Sequence, residues 1–141
     1  MALACLFTFV TILGLSLAAD ATKLKLLIPP FGASAVMIFI FPQGPFSKIQ
    51  SLVGGHLLTS GVGLGFYYFF PDSTIALALA VTMGLLGMLL TKTLHPAAGG
   101  NPILVYLLKA GPSFLIAPIL IGTLFLALMG WLYGLLQRES T

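Results

Sequence analysis

Charged residues make up 6% of the 141 residues, where a soluble domain carries about 25%. Acidic residues number three, Asp20, Asp72 and Glu139, and one residue is a cysteine, Cys5. Each scarcity excludes a class. The six basic residues are scattered singly, so there is no stripe for a nucleic acid or block for an anionic surface. One cysteine forms no internal disulfide and no cysteine metal cluster. Two histidines, His56 and His95, without neighbouring carboxylates or cysteine make a poor metal site. Paired carboxylates, a phosphate loop and a Ser-His-acid set are all missing, so we expect no enzyme and no cofactor.

What is there is apolar. Hydrophobic residues are 59% and the mean hydropathy is +1.13. A soluble fold of this size has too high a surface-to-volume ratio to hide that much apolar surface. The chain reads as a single all-α integral membrane domain over 1–141, multi-pass, with the lipid bilayer as its first partner.

A spanning helix needs about 20 apolar residues. Stretches free of Asp, Glu, Lys and Arg give four plain helices at about 2–19, 50–70, 74–92 and 114–136. Ala19-Asp20-Ala21 resembles a signal cleavage site, yet no Lys or Arg precedes the first apolar run, against the usual positive start. Two segments differ. Leu26–Phe41 opens with Pro29-Pro30 and Gly32; His95–Leu108 opens with Pro96, Gly99-Gly100 and Pro102. Such residues interrupt or start helices, so both read as broken or re-entrant segments.

Shifting the chain by 67 residues superposes these segments: Lys25 on Lys92, Pro29 on Pro96, Gly32 on Gly99, Ser34 on Asn101, Gly44-Pro45 on Gly111-Pro112, Gly55 on Gly122 and Gly63 on Gly130. Lysine, proline and glycine matches carry weight because these residues serve position. We read two repeats, about 1–70 and 71–141, each helix, broken segment, helix. If the broken segments cross, the repeats are inverted, the arrangement we expect; if they turn back, they are parallel. With six crossings, Lys48, Lys92 and Arg138 share one side, and Lys23, Lys25 and Lys109 the other, so charge does not set orientation.

Lipid does not satisfy the backbone groups that a break frees, so the breaks must face protein or water. The residues that follow them, Gly32, Ala33 and Ser34 in one and Gly99, Gly100 and Asn101 in the other, would begin half-helices whose amides and dipole favour an anion. Lys25 and Lys92 precede their prolines by four residues; they either add positive charge to this site or snorkel to the interface. His95 adjoins the second break and would donate to an anion or take a proton. His56 either lines the pathway or bonds a neighbouring helix. Positive ends, donors and no carboxylate suit a small inorganic anion. Gly61 and Gly65 form a small-xxx-small pair for close packing within or between subunits. The aromatics 66–70, with Trp131 and Tyr133, read as interface anchors.

Pro30-Phe31-Gly32-Ala33-Ser34-Ala35, Gly54-Gly55-His56-Leu57 and Thr91-Lys92-Thr93-Leu94-His95-Pro96-Ala97-Ala98-Gly99 resemble the HPP family of integral membrane proteins, in order and spacing, across about 3–136. The family's His-Pro-Pro reads His95-Pro96-Ala97 here, so the second proline is missing. The resemblance implies a nitrite-type transporter or channel of a bacterial inner membrane or plastid-type membrane. A different class is a non-transporting scaffold or regulatory subunit. A chain this short makes a thin wall for a pathway, so we expect a homo-oligomer.

Overall fold

The structure, a computed structural model, describes residues 1–139. The Arg138 and Glu139 side chains lie outside what it describes, as do Ser140 and Thr141. The described chain is about 80% helical with no strand. Six α-helices follow one another: α1 Ala2–Thr22, α2 Pro29–Ile40, α3 Ile49–Phe69, α4 Thr74–Leu90, α5 Asn101–Leu108 and α6 Ile121–Glu139. A 3-10 turn, Pro96–Gly100, leads into α5, and irregular turns over Pro112–Leu120 lead into α6.

By length and composition two helical stretches suffice to cross a membrane, Ala2–Thr22 and Pro112–Gln137. The apolar runs predict four. α4 is short, at 17 residues. α3 has the length, 21 residues, but its Gly, Ser, Thr and His content makes it less apolar. Those same residues build the site described below.

The chain leaves the α-helix ahead of both proline-led segments. Between α1 and α2 the chain is not helical over 23–28, and Ile28 is extended. α2 then runs for 12 residues and α5 for eight, about 18 and 12 Å at 1.5 Å per residue. Neither helix reaches the roughly 30 Å of a hydrocarbon core.

Close approaches fix the directions. A Cβ at Gly54 would meet Thr93, one at Gly63 would lie 2.8 Å from Pro102 Cα, and Tyr68 Oη donates to Ala110 O at 3.4 Å. Segment 93–110 therefore runs beside α3 in the same direction. α4 runs against α3, with Gly84 over Thr59 and Met88 at Gly55. α2 runs with α6: Gly122 faces Phe31 and Gly130 faces Ile38. The two broken segments meet where Pro30 Cγ lies 3.7 Å from the place of a Gly100 Cβ.

The core follows helical periodicity. Phe31, Ser34, Ala35 and Ile38 form the inward face of α2, positions one and two turns apart. Around them pack Phe39, Leu52, Ile119 and Leu126. The sequence reads Tyr133 as an interface anchor. It is instead a core residue, 3% exposed, edge-on to Phe7 and Phe39; its hydroxyl accepts from Gln137 at 2.8 Å, so the polar tip is satisfied inside. Trp131 is exposed. A methyl group added at Gly61 or Gly65 would have nothing within 4 Å. On α3, close packing within the subunit falls on Gly54, Gly55 and Gly63 instead.

Three lysines, Lys23, Lys92 and Lys109, hold positive φ at 60°, 57° and 47°. They end α1, α4 and α5 where glycine is usual. Thr93 N–H reaches Met88 O at 2.9 Å, and Ala110 N–H reaches Val105 O at 2.9 Å, the six-residue closure of a Schellman cap. A cation there answers the negative end of the helix dipole. Lys25 does not share the left-handed geometry of Lys92, so their match in sequence is not a match in backbone.

α4 starts on Ser73, whose Oγ accepts from Ala76 N–H at 3.1 Å. Ser73→Ala is expected to cost about 1 kcal/mol, read as a lower unfolding midpoint in detergent with the fold retained.

Candidate functional site

Ser34, His56, Thr59, His95 and Asn101 are all 0% exposed and mutually hydrogen-bonded. They come from α2, α3 and the second broken segment, at the level where the two half-helices start. Ser34 Oγ is the hub. It lies 3.0 Å from His56 Nε2, 2.8 Å from His95 Nε2 and 3.0 Å from Pro30 O. His95 Nδ1 lies 2.8 Å from Phe46 O. Asn101 Nδ2 lies 2.9 Å from His56 Nδ1, 3.2 Å from His56 O and 3.2 Å from Thr59 Oγ1.

Donor arithmetic assigns the protons. A carbonyl oxygen only accepts, so His95 Nδ1 carries hydrogen and donates to Phe46 O. A neutral His95 then has a bare Nε2, which takes the Ser34 hydroxyl proton. Asn101 Nδ2 faces the His56 carbonyl and is the amide nitrogen there, so it donates to a bare His56 Nδ1. His56 Nε2–H is left to donate to Ser34 Oγ. The order is Asn101 to His56 to Ser34 to His95 to Phe46 O, with every link satisfied. Thr59 Oγ1 donates to Gly55 O at 2.8 Å and is free to accept from Asn101. Two buried atoms at this level remain without a partner, Asn101 Oδ1 and Ser60 Oγ. An unpaired buried polar atom costs about 1–3 kcal/mol.

The rings pack as tightly as the polar atoms. His56 and His95 have centroids 5.2 Å apart, and Phe31 stands edge-on to His56 at 5.4 Å.

Of the residues expected at a site, the structure gathers Ser34, His56, His95 and Asn101 in this cluster. It turns others away. Gly32 and Ala33 are exposed, because they lie on the face of α2 opposite Phe31, Ser34 and Ala35. Gly99 and Gly100 are half-buried, Gly100 beside Pro30. Lys92 is exposed at the end of α4. Lys25 is exposed too, and lines a cavity of about 330 Å³ with Lys23, Lys109, Ser113 and Phe114. Neither lysine reaches the cluster.

The expected free amides are also fewer. Pro29 and Pro30 have no N–H, Phe31 N–H bonds Ile28 O at 3.0 Å, and Asn101 N–H bonds Ala98 O. Prolines that start a helix consume the donors that the same start would offer. The donors here are side chains.

Sequence reasoning missed Thr59, Lys23 and Lys109 as contributors. Thr59 was legible as a residue three after His56, one turn along the same face. The two lysines were legible only as charges on the Lys25 side.

Among the described residues, no group of three His, Cys, Asp or Glu is placed to hold a metal ion.

Two transmembrane proteins of Dictyostelium discoideum resemble the chain. One is 34% identical over 132 residues, 88% of this chain and 46% of that protein. The other is 32% identical over 122 residues, 80% of this chain and 39% of that protein. The chain thus spans less than half the length of the curated relatives it matches. No solved structure matches. The family description "HPP, transmembrane region" fits residues 1–141, the full extent that carries both breaks and the buried cluster, and the chain belongs to the HPP family of membrane proteins.

Proposed function

We propose that the chain is a membrane transport protein for a small inorganic anion, nitrite being the first to test, and not an enzyme. The observation that carries this reading is the fully buried Ser34–His56–His95–Asn101 cluster where two half-helices begin. Polar side chains at such depth are costly and belong to pathways. The four are uncharged or positive in every protonation state, and both half-helices turn their positive ends this way. A cation pathway would favour a carboxylate, and no carboxylate stands among these four residues.

Six crossings fit the directions of the segments. α2 runs from the Lys23–Lys25 end toward Trp131, and 93–110 runs the opposite way beside α3. α2 and the second broken segment both begin at prolines 67 positions apart, Pro29 and Pro96. These features support two inverted repeats, with the breaks crossing rather than turning back. The outward Gly61 and Gly65 support a contact between subunits in a homo-oligomer. A bacterial inner membrane or plastid-type membrane is the setting that the resemblance implies.

Lys25 enters this reading in a new place. With Lys23 and Lys109 it gives the 330 Å³ cavity three positive charges at one mouth, which raise the local anion concentration. Replacing all three by Gln is expected to lower initial nitrite uptake about tenfold at low salt. The loss should shrink as ionic strength rises, because exposed charges are screened.

The test is nitrite uptake by the purified chain in liposomes. Uptake above protein-free liposomes supports the proposal. Folded protein that moves neither nitrite nor another small anion overturns it in favour of a scaffold or regulatory subunit, a reading that rests on the closed packing of the cluster and the outward Lys92.

A further inference from the structure

The hydrogen bonds around Ser34 admit two complete arrangements that differ by one proton. In the first, His95 is neutral and the Ser34 hydroxyl donates to its Nε2, 2.8 Å away. In the second, Nε2 carries an added proton and donates to Ser34 Oγ. The Ser34 hydroxyl then turns to Pro30 O, 3.0 Å away. His56 Nε2–H keeps donating to Ser34 Oγ, which has two lone pairs for the two donors. Phe46 O keeps accepting from Nδ1 in both. No heavy atom has to move.

His56 has no such second arrangement. Its free nitrogen, Nδ1, already accepts from Asn101 Nδ2 at 2.9 Å. A proton there would set donor against donor, and Asn101 cannot turn its oxygen in without facing the His56 carbonyl, 3.2 Å away. The cluster therefore has room for one proton, and its address is His95 Nε2.

That proton would arrive without a counter-charge. α2, α4 and the Pro96–Gly100 turn carry no ionisable side chain. α3 contributes His56, with Tyr67 and Tyr68 at its far end, and α5 contributes Tyr106, whose ring packs on Tyr67. Lys92 and Lys48, on the adjoining loops, are exposed. Tyr133 of α6 is bonded to Gln137. Among the described residues, no carboxylate faces His95. A buried cation without a partner is costly, and an anion beside it offsets part of that cost.

We propose that His95 binds one proton together with the transported anion, so that the cluster is a joint site for a proton and a small anion. The proton leaves a hydronium ion in the solvent, breaking one O–H bond and releasing water, and forms one N–H bond at His95 Nε2; no other covalent bond changes. The pair is electrically neutral as it forms, so the centre gains no net charge while occupied. This inference rests on the anion-transport reading for the identity of its second ligand.

Linkage supplies the test. If proton and anion favour each other, each raises the other's affinity by the same factor. The full chain, labelled with 15N-histidine and reconstituted in lipid, is titrated by NMR without and with saturating sodium nitrite, sodium gluconate being the control. The expected spectra show opposite tautomers at neutral pH, hydrogen on Nδ1 of His95 and on Nε2 of His56. Acidification adds one proton, at His95 Nε2, and nitrite raises its proton affinity about tenfold. His56 stays in its neutral form through that step. His95→Asn, which keeps a donor for Phe46 O, removes the titration.

Identical tautomers, joint titration of both rings, or a His95 titration that nitrite does not move would each overturn the proposal. Nitrite flux in liposomes is measured in parallel. Flux without the nitrite-linked shift overturns the joint site and leaves the transport reading standing. The shift without flux supports the joint site and overturns transport.

Discussion

Gly63→Leu is expected to destabilise the protein by about 3 kcal/mol or more, toward the upper end of what overpacking costs. A Cβ at Gly63 would lie 2.8 Å from Pro102 Cα, 3.2 Å from its Cβ and 3.4 Å from Val105 Cγ2. The first of these is backbone and has no rotamer to escape into. Pro102 is also the second residue of α5, and Asn101 beside it holds His56. Pushing α5 from α3 therefore disturbs the cluster as well as the packing. Gly61→Leu, compared as monomers dispersed in detergent, is the matched control for packing within the subunit, since nothing in the subunit lies within 4 Å of a Cβ there. Unfolding of both variants in detergent, followed by circular dichroism, measures the difference. Equal midpoints would mean that α3 and the second broken segment do not pack as described.

The contrast between these two glycines shows where sequence reading reached its limit. Gly61 and Gly65 have the spacing of a packing motif, and Gly63 does not pair with either by that rule. Yet Gly63 is the one in contact. Spacing says which residues share a face of α3; it does not say which face meets a neighbour. That depends on the path of 93–110, which is set by contacts far apart in sequence.

The breaks themselves were legible. Pro29-Pro30 and Pro96 with the glycines after it fix where helices stop and restart, and α2 starts at Pro29. The depth of Ser34, His95 and Asn101 followed, because they lie within a turn or so of the breaks. The partners of His56 did not follow, since they are 22 and 45 positions away. The two lysines matched by the 67-residue shift part company for a backbone reason. Lys92 sits in a left-handed cap and Lys25 does not, so equal distance from a proline does not mean equal position in space. The amide donors are fewer for a local reason: the prolines that open α2 have no N–H, and Phe31, Ala98 and Asn101 spend theirs on Ile28 O, His95 O and Ala98 O.

Ser34→Ala is the second large effect. The substitution fits the space, so its consequences are those of the lost oxygen alone. His56 Nε2–H loses its acceptor and His95 Nε2 loses its donor, both in a site from which water is excluded. Each stranded group costs about 1–3 kcal/mol, so a total of about 2–6 kcal/mol is expected. Thr11→Val offers the comparison. Thr11 is as deeply buried as Ser34, 0% exposed, but its hydroxyl donates to Phe7 O on its own helix at 2.6 Å. Removing it strands no side chain, because the Phe7 carbonyl belongs to the α1 ladder, and the cost should stay near 1 kcal/mol. Unfolding in detergent gives both numbers. A serine that merely fills space would cost no more than Thr11, and that result would remove the hub from the cluster. Nitrite uptake in liposomes adds a second readout: Ser34→Ala protein that remains folded should transport poorly, since both imidazoles lose the atom that orients them, while Thr11→Val should transport as the parent chain does.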